Sequence, residues 1–265
     1  MELQPQYSSL PTDAMQARGQ IIKQRLPTLV RSDSERLSST VGISQSDLLV
    51  EGKDGVTRKA RVPWARFSSQ KRSPSATVGW YVVWLFTEDG SGVYLALSHA
   101  STRNVDGRLV GRSHDETQRL TKWAVEILAQ EIAQDPRLTT NMALGAHRLA
   151  KAYESTTAVS YFYAKDDVPS DEQLRDDMLT MARLLRSIYH GEPAQKRSGQ
   201  TSPDVIAVVE AIEETASGLK KNGQGFGLTQ PQRRAVELRA MALAKEHFGS
   251  AGYEIKVRVP RPLTI

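Results

Sequence analysis

Apolar positions along the chain keep two kinds of spacing, and the switches between them divide it into elements. Near the start, Thr12 and Asp13 can cap free amide groups, and Ile21, Ile22 and Leu26 carry a helical stripe that Pro27 should interrupt. From Gly42 to Arg61 glycine and charge take over, and Asp54-Gly55 reads as the turn of a hairpin between two short strand-like runs. The most hydrophobic part follows, Val78 to Phe86 and Val93 to Ser98, with a glycine-rich turn from Glu88 to Gly92 between them. Aromatic and β-branched residues occupy both alternating sets there. This second hairpin is therefore predicted to form the centre of a sheet that is covered on both faces.

Farther on the period becomes helical. Leu120, Trp123, Ile127 and Leu128 form one stripe within a helix over 116–132, and a second helix fits Leu144 to Tyr153. A third runs from Ser170, its cap, to Tyr189, with Leu174, Met178, Met181, Leu185 and Ile188 facing inward. The predicted fold is α+β: a curved, mainly antiparallel sheet flanked by helices. Residues 193–202 have linker composition and separate a domain at 1–192 from a segment at 203–265. That segment is read as a helical connector, or a truncated entry into an effector, with helices at 203–215 and 230–248 and a strand at 253–259 cut short by Pro260 and Pro262.

Composition narrows the chemistry. The 265 residues contain no cysteine, which excludes disulfides, thiol nucleophiles and cysteine-containing zinc sites. His99, His114, His147, His190 and His247 show no metal-ligand spacing, so no metal is expected. The phosphate-loop pattern G-x-x-x-x-G-K-[ST] is absent, and Gly223-x-Gly225-x-Gly227 has neither the spacing nor the preceding strand of a nucleotide loop, so no cofactor is expected either. No apolar run approaches the roughly 18 residues that span a bilayer, and Met1 to Pro5 is not a leader, which predicts a cytoplasmic protein with no membrane partner. A net charge of +5 and a pI of about 9.4 are compatible with a polyanion.

Val62-Pro63-Trp64, Gly79 to Phe86, Asp89-Gly90 and Val93 to Ser98 follow one another in an order that continues through Tyr153-Glu154, Tyr161 to Tyr163, Val168-Pro169 and Asp177. Together they resemble the MrcB-like domain found at the N-terminus of McrB-type restriction proteins, over about residues 5–192. The resemblance implies the DNA-binding specificity module of a modification-dependent, type IV-like restriction or antiviral defence protein. It would recognise double-stranded DNA with a modified base, methylated or hydroxymethylated cytosine, and work with a nuclease domain or subunit. A PUA-like architecture is the analogy with other modified-base readers.

A second likeness, through Gly223-Gln224-Gly225-Phe226, Arg234-Ala235-Val236-Glu237 and Gly252-Tyr253-Glu254-Ile255, is to the entry of the nuclease-like NO VEIN C-terminal domain, whose catalytic carboxylates and lysine would lie beyond Ile265. Glu254-Ile255-Lys256 matches half of a metal-dependent nuclease site, but with no partner Asp on a preceding strand it reads far better as an alternating edge strand. The chain alone is thus read as non-catalytic. A nuclease in its own right and a scaffold that recruits a nuclease subunit are the alternatives.

Reading a methylated base by flipping it from the stack needs flat side chains and hydrogen-bonding groups to offset a few kcal/mol of unstacking. Trp64, Trp80, Tyr81 and Tyr94, with Ser98, are the candidate base pocket, and in an extended strand Trp80 and Trp84 share one face while Tyr81 points to the other. Arg58, Lys59, Arg61, Arg66, Lys71 and Arg72, a run without an acid, are the candidate contacts to the DNA backbone, joined by Arg103 in the loop after the hairpin.

Overall fold

Strands β1 (Leu48–Lys53), β2 (Trp64–Ser69), β3 (Trp80–Phe86) and β4 (Gly92–His99) run as an antiparallel meander, and β7 (Thr157–Ala164) adds to β4, giving the order β1-β2-β3-β4-β7. The computed structural model describes residues 1–55, 58–105 and 108–192. The predicted linker at 193–202 and the helices and strand beyond it, Glu254 and Lys256 included, lie outside these residues. Between β4 and β7 come a small hairpin, β5 (Thr102–Val105) with β6 (Arg108–Gly111), and helices α4 (His114–Ile127), α5 (Ala129–Gln134) and α6 (Arg148–Thr156). Helices α1 (Asp13–Gln20), α2 (Leu26–Ser32) and α3 (Ser34–Val41) precede the sheet, and α7 (Asp171–Gly191) follows it. The architecture is the predicted α+β sheet with flanking helices. No helix among the described residues is long and apolar enough to cross a membrane.

β3 is the central strand, and its two alternating sets are both buried. Trp80 and Val82 pack with Phe67, Leu95 and Leu97 against Leu37 and Val41 of α3, Ala124 of α4 and Met178, Met181, Leu185 and Ile188 of α7. Tyr81, Val83 and Leu85 face the other way, towards Leu144 and Ala150. Ser170 caps α7 by accepting from the Gln173 amide, as its position predicts.

Pro27 does not end the first helix. Residues Ile21–Arg25 widen into a π turn in which the Leu26 amide bonds the Ile21 carbonyl, and Pro27 falls in the opening turn of α2, where no amide donor is required. The Ile22 carbonyl lies against Gly52, where any Cβ would stand 1.8 Å from that oxygen, so only glycine permits this contact between helix and β1.

The predicted first hairpin also differs. Asp54-Gly55 does turn the chain, with Gly55 at φ +82°, but β1 pairs with Trp64–Ser69 and not with the run before Arg61. The backbone of 59–61 bonds Ser9, Tyr7, Asp54, Arg18 and Gln4 instead, which removes it from the ladder. The helix predicted over 116–132 is broken at Leu128 into α4 and α5, and the one predicted from Leu144 begins only at Arg148, because Gly145 adopts φ +152° and His147 supplies the cap.

His99 ends β4 and is 2% exposed, in edge contact with Trp80. Burial pushes its imidazole down to about 4, so the folded state refuses a proton that the unfolded chain accepts near 6.5. Stability is therefore whole above pH 6.5 and declines as the pH falls from there towards 4, by a total of about 3 kcal/mol. Urea unfolding of wild type and His99→Gln at pH 7 and pH 4.5 checks this. The variant should lose less between the two pH values; equal losses would place the acid sensitivity elsewhere.

Candidate nucleic-acid interface

Strand register sorts the predicted pocket residues by face. Trp64 pairs with Leu85, Leu85 with Tyr94, and Tyr94 with Phe162, so one row across the sheet reads Trp64, Leu85, Tyr94, Phe162. The next row on the same face reads Glu51, Arg66, Val83, Ala96, Ser160, and the third contains Tyr81, Ser98 and Thr157. The structure thus brings Trp64, Tyr81, Tyr94 and Ser98 together on one face. Trp80 lies on the opposite face, packed between His99 and Trp123.

The three rows differ in chemistry. The first is aromatic and ends in Phe162, which is 44% exposed and 4.6 Å from the Tyr94 ring. The middle row has small, buried side chains at Val83, Ala96 and Ser160. The third is polar: Ser98 and Thr157 hydroxyls bond at 2.8 Å, and the Tyr81 hydroxyl donates to the Ala76 carbonyl at 3.3 Å. Burial raises the Tyr81 phenol to about 12, with the Arg66 cation opposing, so it is a neutral hydrogen-bonding group at neutral pH.

The segment before α6 covers this face, a role the residue pattern alone did not assign to it. Leu144 is buried against the aromatic row, with Met142 and Tyr153 partly buried beside it. The Ala143 amide donates to the Tyr94 hydroxyl, the Leu144 amide to Glu154, and the Ala146 and His147 amides to Glu88 in the β3–β4 turn. In the sequence Tyr153-Glu154 stood out as the end of a predicted helix and as part of the resemblance, neither of which placed it over this face.

The cations that are contiguous in sequence are separated in space. Arg58 and Arg61 are exposed on the loop that enters Trp64. Lys59, beside them, pairs with the fully buried Asp54 at 2.8 Å. Arg66 is buried in mid-sheet: Nε donates to Glu51 at 2.7 Å, Nη1 to Ser68 and Ser73, and the guanidinium lies 5.2 Å from the Tyr81 ring centre. Its Nη2, 2.7 Å from Glu51, lacks the alignment of a hydrogen bond. Arg66 is therefore an internal ion pair and not the surface cation the sequence suggested. Lys71 and Arg72 lie past the other end of β2, about 17 Å away at about 3.3 Å per residue. Arg72 is exposed, donates to the Tyr189 carbonyl and stacks over that ring at 4.9 Å. Arg103 belongs to the β5–β6 hairpin, whose side chains lie outside the described part.

The model of the MrcB-like N-terminal domain matches residues 6–190, most of the chain and all of this sheet. The protein belongs to the MrcB-like N-terminal domain family. Comparison with curated proteins and with solved structures gave no match. Membership makes this MrcB-like domain a DNA-binding module associated with a McrB-type restriction system, with DNA and a nuclease as its partners. The matched region stops before residue 193, so the likeness of the C-terminal segment to a nuclease entry is not part of it.

Proposed function

We propose that this MrcB-like domain reads a modified cytosine in duplex DNA on the face that carries Trp64, Tyr81, Tyr94 and Ser98. The observation that supports this most is the row order on that face. Aromatic surface and hydroxyl groups flank a strip of small residues, and the exposed cations Arg58 and Arg61 stand at the Trp64 end. A flipped base needs a flat partner, a hydrogen-bonding edge and space between them. Phosphates need cations near the mouth. Trp80, on the helix-packed face, takes no part in this reading.

Binding would require Leu144 and its neighbours to give way, because that segment now fills the space above the aromatic row. Its ties are side-chain hydrogen bonds to Tyr94, Glu88 and Glu154, a backbone bond from the Glu88 amide to the Leu144 carbonyl and the burial of Leu144, all of which local opening would have to break while the sheet stays folded. In this reading the chain selects the DNA and a nuclease cuts it.

The test is binding to matched duplexes carrying cytosine, 5-methylcytosine or 5-hydroxymethylcytosine at two salt concentrations. Preference for one modified duplex is expected, and Tyr81→Phe, which removes only the hydroxyl, should reduce that preference with little change in overall affinity. Equal, salt-sensitive binding to all three would leave a basic DNA surface without base readout. Absence of binding would favour a scaffold that recruits a nuclease, and metal-dependent cleavage by the chain itself would favour the nuclease alternative.

A further inference from the structure

We infer that residues 4–18 are a positioning segment that presets the shape of the Arg58–Arg61 loop for DNA, an inference that rests on the proposed reading of this face. Residues 4–18 hold the backbone of 59–61 from outside. The Lys59 amide donates to the Ser9 carbonyl at 3.1 Å, and the Lys59 carbonyl accepts from the Tyr7 hydroxyl at 3.0 Å. The Ala60 carbonyl accepts from Arg18 Nη2 at 2.7 Å, and the Arg61 carbonyl accepts from Gln4 Nε2 at 2.9 Å. Among the described residues, the Ala60 amide bonds nearby in sequence, to the Asp54 carbonyl at 3.2 Å.

Side chains close the arrangement from behind. Asp54, 0% exposed, takes Arg18 on one carboxylate oxygen at 2.6 Å and Lys59 on the other at 2.8 Å. Gln4, 2% exposed, accepts from Arg18 Nη1 while its amide nitrogen also reaches the Thr87 carbonyl, which ties the loop to the β3–β4 turn. At Gly19 a Cβ would stand 2.9 Å from Lys59 Nζ, so α1 approaches the node at glycine distance. Outside this node the Arg61 guanidinium lies 4.8 Å from the Tyr7 ring centre.

Burying an ion pair costs desolvation, and a hydrophobic contact would hold a loop as firmly. What the polar node adds is direction. It fixes successive carbonyls inward, leaving Arg58 and Arg61 outward without conformational search when phosphates arrive. Lys59 belongs to this clamp and is assigned no phosphate. Gln4, Tyr7, Arg18 and Asp54 act through the loop, as positioning residues.

The double variant Gln4→Ala/Tyr7→Phe releases the Lys59 and Arg61 carbonyls of the loop, and with them the Thr87 carbonyl and Arg18 Nη1, while leaving the Asp54 ion pairs and the ring under Arg61. Trypsin cutting of the native chain, mapped by mass spectrometry, should rise about tenfold at Arg58, Lys59 and Arg61 relative to sites in α7, reflecting local opening. Affinity for the preferred duplex should fall about tenfold with the salt slope unchanged, because the same phosphates are met by a less ordered loop. Arg58→Ala should do the opposite, lowering the slope by about one unit without extra cutting.

A double variant cut like wild type at 58–61, or one cut faster there that still binds DNA with wild-type affinity, would overturn the inference. So would cutting raised equally in α7, which would mean general destabilisation. If wild type binds no duplex, the DNA reading fails with it, while the cutting pattern still decides whether residues 4–18 hold the loop.

Discussion

Trp80→Ala is expected to cost about 3–5 kcal/mol of folding stability, the range for emptying a buried aromatic site. Trp80 is 2% exposed, with its ring 5.0 Å from His99 and 6.0 Å from Trp123, and its carbonyl accepts from the buried Tyr189 hydroxyl at 2.9 Å. The cavity would open where α4 and α7 meet the central strand, and these elements cannot collapse far because the strand ladder fixes Trp80 opposite His99. A domain with about 5–15 kcal/mol in hand loses a large part of it. Urea unfolding gives the number, and Trp80→Phe should recover more than half. If Trp80→Ala cost under about 1 kcal/mol yet abolished discrimination between modified and unmodified duplexes, Trp80 would be a base reader and the assignment by face would fail.

The second large effect concerns charge. Arg58→Glu/Arg61→Glu should weaken duplex binding by about two orders of magnitude near physiological salt and lower the salt slope by about two units. Both residues are exposed, so folding stability should stay within about 0.5 kcal/mol of wild type. Lys71→Glu/Arg72→Glu is the matched control at the far end of β2. A similar loss there would extend the DNA footprint along the whole strand, and no loss at Arg58 and Arg61 would remove the Trp64 end from the interface.

These contrasts show where the sequence was informative. Alternation in the Val78–Phe86 and Val93–Ser98 runs identified the central hairpin, because burial on two faces leaves no polar set in either strand. Alternation also separated Trp80 and Trp84 from Tyr81. It could not say which face would be sealed by helices, since that depends on where α3, α4 and α7 pack, so Trp80 joined the pocket candidates together with residues of the other face. Arg66 misled for a similar reason. In sequence it is one cation among six, and only the register that sets it opposite Glu51 shows that it is already paired.

The cover over the aromatic row, through Leu144 and Tyr153, and the clamp on the Arg58 loop, through Gln4, Tyr7 and Arg18, join positions dozens of residues apart by single hydrogen bonds that leave no periodic trace. By itself the sequence determined the strand alternation, the helix caps at Thr12 and Ser170, the charge and the family, because each is written in neighbouring residues. The tertiary structure decided which sheet face α3, α4 and α7 seal, which face the Leu144 segment covers and which cations are already paired, because burial and pairing are set by whatever distant segment packs alongside.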